Sequence, residues 1–171
     1  CDLQQMTGNV QQQTDRVQNT IQQQAQRVED TVRRQLNLAG EMELTLDPPL
    51  ALKACYPRFT PPGENRPAVL QISSYRNEAG ESFPSIYLRA EAAESNSPEE
   101  LAGKTLAAEL FVQLEQDGPV LHSPEGAPAQ LTISSVSEGV RTAELSPGPL
   151  QGSDGAEIPS VGGRFMGSIN P

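Results

Sequence analysis

The hydrophobic period of the chain changes at about residue 40, and this change limits the folds that the sequence can adopt. Before Gly40, apolar and small residues recur every three to four positions, as they do along one side of a helix. From Glu41 onward, apolar residues alternate with polar ones, as they do in half-buried β-strands. The sequence therefore predicts two domains, a helical stalk over residues 1–40 and a β domain over residues 41–171.

The first domain is built on an 11-residue repeat. Residues 9–19 (NVQQQTDRVQN) and 20–30 (TIQQQAQRVED) share five identical positions, and residues 31–38 (TVRRQLNL) begin a third unit. This period gives ~3.67 residues per turn, so its apolar positions stay on one side of a nearly straight α-helix. We call them the interaction stripe: Met6, Val10, Val17, Ile21, Ala25, Val28, Val32 and Leu36, with Thr14 in the same series.

So narrow a stripe adds little stability to a helix on its own. We therefore expect the helix to dock on a partner or to associate with another copy of itself. A Gln-rich, partly disordered spacer is the alternative interpretation of the same residues.

The second domain is predicted to be an antiparallel β-sandwich of about seven to eight strands, which makes the protein mainly β. Short alternating segments separated by Gly- and Pro-rich turns are typical of this fold class. Ser146–Gly148 is one predicted turn, and Ser97–Leu101 has the sequence of a capping box that opens a single helical turn. The candidate strands are Met42–Leu46, Leu50–Tyr56, Ala68–Ser74, Ser85–Glu91, Thr105–Glu115, Gln130–Val136, Val140–Leu145 and Gly163–Ile169.

Charge limits the partners of the β domain. The whole chain has a formal net charge of −10, and residues 1–40 contain equal numbers of acidic and basic side chains. The β domain therefore carries the entire excess of negative charge. Such a surface repels nucleic acid and anionic lipid headgroups, so we expect no nucleic-acid partner.

The sequence contains no recognisable catalytic or metal-binding motif. It lacks the GxSxG, Walker A, GxGxxG and CxxCH patterns, and His122, in a Pro/Gly-rich segment predicted to be a loop, is its single histidine. Metal sites that need several His or Cys ligands are therefore excluded. Neighbouring acidic residues such as Glu99 and Glu100 are expected on a solvated face. We expect a protein without enzymatic activity, metal or cofactor.

The sequence begins with Cys1, and this residue in this position resembles the mature form of bacterial lipoproteins. The resemblance implies a diacylglycerol on the Cys1 thiol and a cell-envelope location on the periplasmic or external face. Asp2 slightly favours the inner membrane, as it does in some enteric bacteria. Exposure of Cys1 by another protease is the alternative. Lipidation would leave Cys55 as a lone, buried thiol, whereas a Cys1–Cys55 disulfide would exclude the anchor.

Two functions follow as expectations. The first is an accessory or structural subunit that docks on a respiratory, photosynthetic or secretory integral membrane complex through the stripe. The second is an envelope lipoprotein that binds a ligand or glycan on the β domain. With only three Tyr and four Phe in the chain, the outward aromatic candidates for such binding are Tyr75, Tyr87 and Phe111.

The lipid anchor predicts the intact mass of the protein isolated from its natural membrane. We expect a mass excess equal to diacylglycerol, with or without a further N-acyl chain, located on the N-terminal peptide by tandem mass spectrometry. An unmodified Cys1, or a Cys1–Cys55 disulfide, would contradict the prediction.

Overall fold

The computed structural model describes residues 40–76, 82–137 and 140–169, which form a mainly β domain. The predicted helix, Cys1 and the interaction stripe lie outside the described residues. The strands are β1 (Glu41–Leu44), β2 (Leu50–Leu52), β3 (Tyr56–Thr60), β4 (Val69–Ser73), β5 (Ser85–Glu91), β6 (Thr105–Gln113), β7 (Val120–His122), β8 (Ala129–Ser137), β9 (Val140–Gly152) and β10 (Glu157–Ser168).

All ten described strands belong to one antiparallel sheet. Their order is β2-β1-β10-β9-β7-β6-β5-β4-β3, and β8 pairs with β6 and β9 beside β7. Strands β2 and β3 lie at opposite ends of this order, although only residues 53–55 separate them along the chain. The backbone N–H of Gly40, just before β1, donates to the carbonyl of Cys55, just before β3. The sheet therefore curls until its two ends approach each other.

This arrangement confirms the antiparallel β class but corrects the predicted sandwich of seven or eight strands. A sandwich has two separate sheets, whereas the described strands form one continuous sheet of ten. Hydrogen bonding passes without a break from β6 to β9, because β7 and β8 each pair with both of these strands. The long strand β9 is thus the element that joins what would otherwise be two layers.

Alternation places the core on the inner face of the sheet. In β6, Leu106, Ala108, Leu110 and Val112 are buried, as predicted, while the residues between them face solvent. The neighbouring strands follow the same rule, with Ile86, Leu88 and Ala90 of β5 and Leu70 and Ile72 of β4 buried. Leu114 was expected on the same face as Val112. It is instead 46% exposed, because β6 ends at Gln113.

The predicted turn at Ser146–Gly148 is wrong, because these residues lie inside β9. The register between β9 and β10 shifts on either side of Val161, which pairs with Gly148. A bulge of this kind accommodates Pro147, which has no backbone N–H to give to a regular ladder. Gly162 lies opposite the bulge, where an added Cβ would come within 3.3 Å of the Pro147 ring. Both strands therefore continue past the point where sequence alone indicates an end.

Three further predictions need correction or completion. The single candidate strand Leu50–Tyr56 is divided between β2 and the first residue of β3. Strand β7 replaces the loop that was predicted around His122. The helical turn is present as a 3-10 helix over Pro98–Leu101, but Ser97 forms no side-chain cap; the Glu100 carboxylate accepts from the backbone N–H of Asn96 at 2.9 Å.

Cys55 is a free thiol that is 2% exposed, as expected for a structural cysteine. Burial raises the pKa of this thiol from about 9 to about 12, although a backbone hydrogen bond from Met166 acts in the opposite direction. The protonated thiol is thus the form that the fold favours. The stability that the protonated Cys55 thiol contributes to the folded state is complete below pH 9 and is lost as the pH rises toward 12.

Burial and the raised pKa predict that Cys55 reacts slowly, because the thiolate is the nucleophile. In a Cys1→Ser variant, where Cys55 is the one remaining thiol, iodoacetamide at pH 8 should label the folded protein far more slowly than the protein in urea. Mass spectrometry over time measures both rates. Equal rates with and without urea would contradict the described burial.

Candidate functional site

Four ring-bearing side chains lie in one line on the outer face of the sheet. Cross-strand pairing runs from Tyr56 to Ser73, then to Tyr87, Phe111 and His122. Directly opposed residues of antiparallel strands point to the same face, so these side chains cross β3 to β7 at right angles to the strands. We call Tyr56, Tyr87, Phe111 and His122 the aromatic row.

The rings of three neighbouring strands are close enough to form a platform. The centroids of Tyr87 and Phe111 are 6.3 Å apart, and those of Phe111 and His122 are 6.4 Å apart. Interplanar angles of 41° and 31° show that the rings are tilted rather than stacked on one another. Phe111 is 38% exposed. The row therefore presents ring surface to solvent instead of burying it between the rings.

Hydrogen bonds fix two of these side chains. Gln71 Nε2 donates to the Tyr87 phenolic oxygen at 2.7 Å, which leaves the phenol's own hydrogen available to a ligand. His122 Nδ1 lies 2.9 Å from the carbonyl oxygen of Ser123. Because a carbonyl can only accept, Nδ1 carries the hydrogen, and in this tautomer Nε2 is left as an acceptor. The row thus offers both a donor and an acceptor.

A line of charged and amide side chains borders the row on one side. It pairs Arg58 with Gln71, Gln71 with Arg89, and Arg89 with Glu109. Arg89 Nη2 lies 3.1 Å from Glu91 Oε1, and its Nη1 lies 3.9 Å from Glu109 Oε2. At the β3 end, the Arg76 guanidinium lies 5.1 Å from the centre of the Tyr56 ring, within the range of a cation–π contact.

Two cavities of the described domain are small compared with ligand pockets. An apolar cavity of about 10 Å³ lies in the core between Cys55, Ile72 and Phe165. A shallow depression of about 80 Å³ on β1 and β10 is lined by Glu41, Glu43, Arg164 and Met166. Pockets for small organic ligands usually have volumes of roughly 300–1,000 Å³. Neither cavity could enclose such a ligand, whereas the aromatic row is an open surface.

The acidic residues that the sequence brings forward do not assemble a site. Glu99 lies in the 3-10 turn, where hydrogen bonds from its own backbone N–H and from the Ser97 side chain lower the pKa of its fully exposed carboxyl. Within residues 40–76, 82–137 and 140–169, no three His, Cys, Asp or Glu side chains are grouped so that they could hold a metal ion.

Those same residues include no helix with the length and apolar content needed to cross a bilayer.

Sequence reasoning identified part of this surface. Tyr87 and Phe111 were named as outward aromatic residues and are in the row, whereas Tyr75 follows β4 and is not. Tyr56, Gln71 and His122 were not connected with them. To connect them, Tyr56 and His122 would have to be assigned to their strands. The aromatic row becomes visible only when the register of β3 to β7 is known.

Comparisons with known proteins found no similar chain. No family model, no curated protein and no solved structure matches the chain.

Two phenylalanines should differ in their contributions to stability. Replacement of Phe165, which is 1% exposed, by Ala should lower the free energy of unfolding by about 3–5 kcal/mol. Phe111→Ala removes a surface side chain with cross-strand contacts, and its cost should be about 1 kcal/mol or less. Urea denaturation of the two variants checks the difference, and equal losses would show that Phe111 serves the fold rather than a binding surface.

Proposed function

We propose that the protein is a non-enzymatic, lipid-anchored accessory protein of the bacterial cell envelope whose β domain is a binding module. In this proposal the interaction stripe docks on an integral membrane protein complex from the periplasmic or external side. The complex would be respiratory, photosynthetic or secretory. The observation that carries the binding role is the aromatic row, which exposes ring surface on the outer face of an acidic domain.

The position of the aromatic side chains supports binding more than their number does. Phe59 and Phe165 are 4% and 1% exposed and belong to the core, whereas Phe111 is 38% exposed between Tyr87 and His122. An outward strand position can hold a small or polar residue at no cost to the core, as Ala107 and Glu109 show on the same strand. Aromatic side chains held at a surface are enriched among the residues that supply binding energy.

The membrane part of the proposal rests on the sequence alone. The interaction stripe is uncharged over three repeat units, and Cys1 would provide the attachment that an acidic domain does not obtain from anionic lipid. An apolar helix stripe needs a second surface to cover it. A membrane complex beside the anchor supplies such a surface, and so does a second copy of the stalk.

A ligand- or glycan-binding role is the second candidate, and the shape of the aromatic row favours it. The row is one side chain wide and is bordered on one side by charged and amide residues, which fits a chain-like ligand better than a broad apolar interface. Membrane anchoring and glycan binding are compatible, since the first uses residues 1–40 and the second uses the β domain.

The docking role predicts the behaviour of a stripe variant. In the combined Val17→Asp, Ile21→Asp and Val28→Asp variant, three buried carboxylates would oppose docking, so co-purification with the membrane complex should be lost. Gentle detergent extraction followed by native electrophoresis measures the association, and the thermal unfolding of the β domain should stay unchanged.

A matched control adds the same charge to the other side of the predicted helix. The combined Gln12→Asp, Asn19→Asp and Gln23→Asp variant should still co-purify. Retained assembly of the stripe variant, or equal loss in both variants, would overturn the docking role.

A further inference from the structure

We infer that the aromatic row binds an uncharged polysaccharide chain that lies across the strands, with sugar rings stacked on Phe111 and its neighbours. This inference rests on the proposed role of the β domain as a binding module and names the class of its ligand. It makes the second candidate function specific: the ligand binds at the aromatic row, runs across the strands and carries no charge.

The width of the row selects a linear ligand. On one side it is bordered by Arg58, Gln71, Arg89 and Glu109. On the other side lie Ser85, which is buried, Gln113 and Val120. A stable protein interface usually buries about 800 Å² on each partner around an apolar centre. A strip of single rings with a charged and amide line along one side does not supply such a centre, whereas it matches a chain that is one sugar ring wide.

The direction of the row disfavours a peptide. The strands beneath it use their backbone N–H and C=O groups in ladders with one another, from β3–β4 through to β6–β7. An extended peptide that crossed these strands would find no backbone partners on the face of the sheet, and its own amides would lose water without compensation. A polysaccharide has no such requirement, because its ring faces carry C–H groups and its hydroxyls lie at the rim.

The polar groups of the row match those hydroxyls. The Tyr87 phenol, which accepts from Gln71, has its hydrogen free to donate, and His122 Nε2 is free to accept. A sugar hydroxyl is both a donor and an acceptor, so it can satisfy either group. The 6.3 and 6.4 Å spacings place these two groups on either side of Phe111, which leaves the exposed Phe111 ring as the central stacking surface.

The charges around the row indicate an uncharged ligand. The Arg89 guanidinium has Glu91 and Glu109 as partners, and the cations Arg58 and Arg76 lie at the β3 end of the row. The chain as a whole carries a net charge of −10, which opposes the approach of an anionic polymer. Stacking and hydrogen bonding are then the main sources of affinity, and binding should depend little on salt.

The test is a calorimetric titration of the full chain with the hexamers of β-1,4-linked N-acetylglucosamine and of β-1,4-linked glucose. Polygalacturonate is the anionic comparison. We expect saturable binding of at least one neutral hexamer, with a Kd that changes less than about twofold between 50 and 500 mM NaCl. Phe111→Ala should weaken that binding by about tenfold. Tyr87→Phe keeps the ring and should cause a smaller loss.

Leu114→Ala is the matched control, because Leu114 is also an exposed apolar residue of the same chain segment but lies beyond the end of β6, outside the row. Its affinity should equal that of the unaltered protein. Absence of binding to both hexamers, equal effects of Phe111→Ala and Leu114→Ala, or tighter, salt-sensitive binding of polygalacturonate would each overturn the inference.

The co-purification experiment distinguishes a failure of the glycan inference from a failure of the proposed binding module. If neither hexamer binds but Phe111→Ala releases a co-purifying protein, the row is a protein contact, so the glycan inference fails and the binding module stands. If Phe111→Ala changes neither readout, both fail for the β domain.

Discussion

The register between β4, β5 and β6 is the constraint on which the rest of the domain depends. Leu70 pairs with Ala90 and Ile72 with Leu88, and Leu88 in turn pairs with Leu110. All five side chains are buried, so a shift of any one strand by a single residue would turn its apolar side to solvent. The core therefore fixes the register, and the register places Tyr87 directly beside Phe111 on the other face. The proposed binding surface follows from the packing of the core beneath it.

Closure of the sheet depends on small residues as much as on apolar ones. Strand β1 approaches β10 so closely at Gly163 that an added Cβ would lie 2.7 Å from the carbonyl oxygen of Glu43. The bulge at Pro147 lets β9 bend while it keeps its pairing with β10. Strand β9 can then reach β8 with its first half and β7 with its last residues. This branching is what makes one sheet out of the two that a sandwich would have.

The strands that could be predicted are those whose local pattern and final environment agree. Ser85–Glu91 was predicted with the bounds of β5, because one face of that strand is apolar throughout and the other is polar. Strand β3 was missed because Pro57 lies within it and because its pairing uses only one neighbour, as is allowed at a sheet edge. The Pro- and Gly-rich residues after Leu145 were interpreted as a turn, because nothing local shows that β10 is available opposite them.

The β class of the described domain, the inner faces of its central strands and the burial of Cys55 follow from the sequence, since each depends on the spacing of apolar residues along the chain. The sequence also supplies the expectations of a lipid on Cys1 and a docking stripe, which are properties of residues 1–40. Tertiary structure decided that ten described strands form a single sheet and that Tyr56, Tyr87, Phe111 and His122 fall in line. The physical reason is that hydrogen-bond register between strands distant in sequence is set by the packing of their shared core, which no local pattern contains.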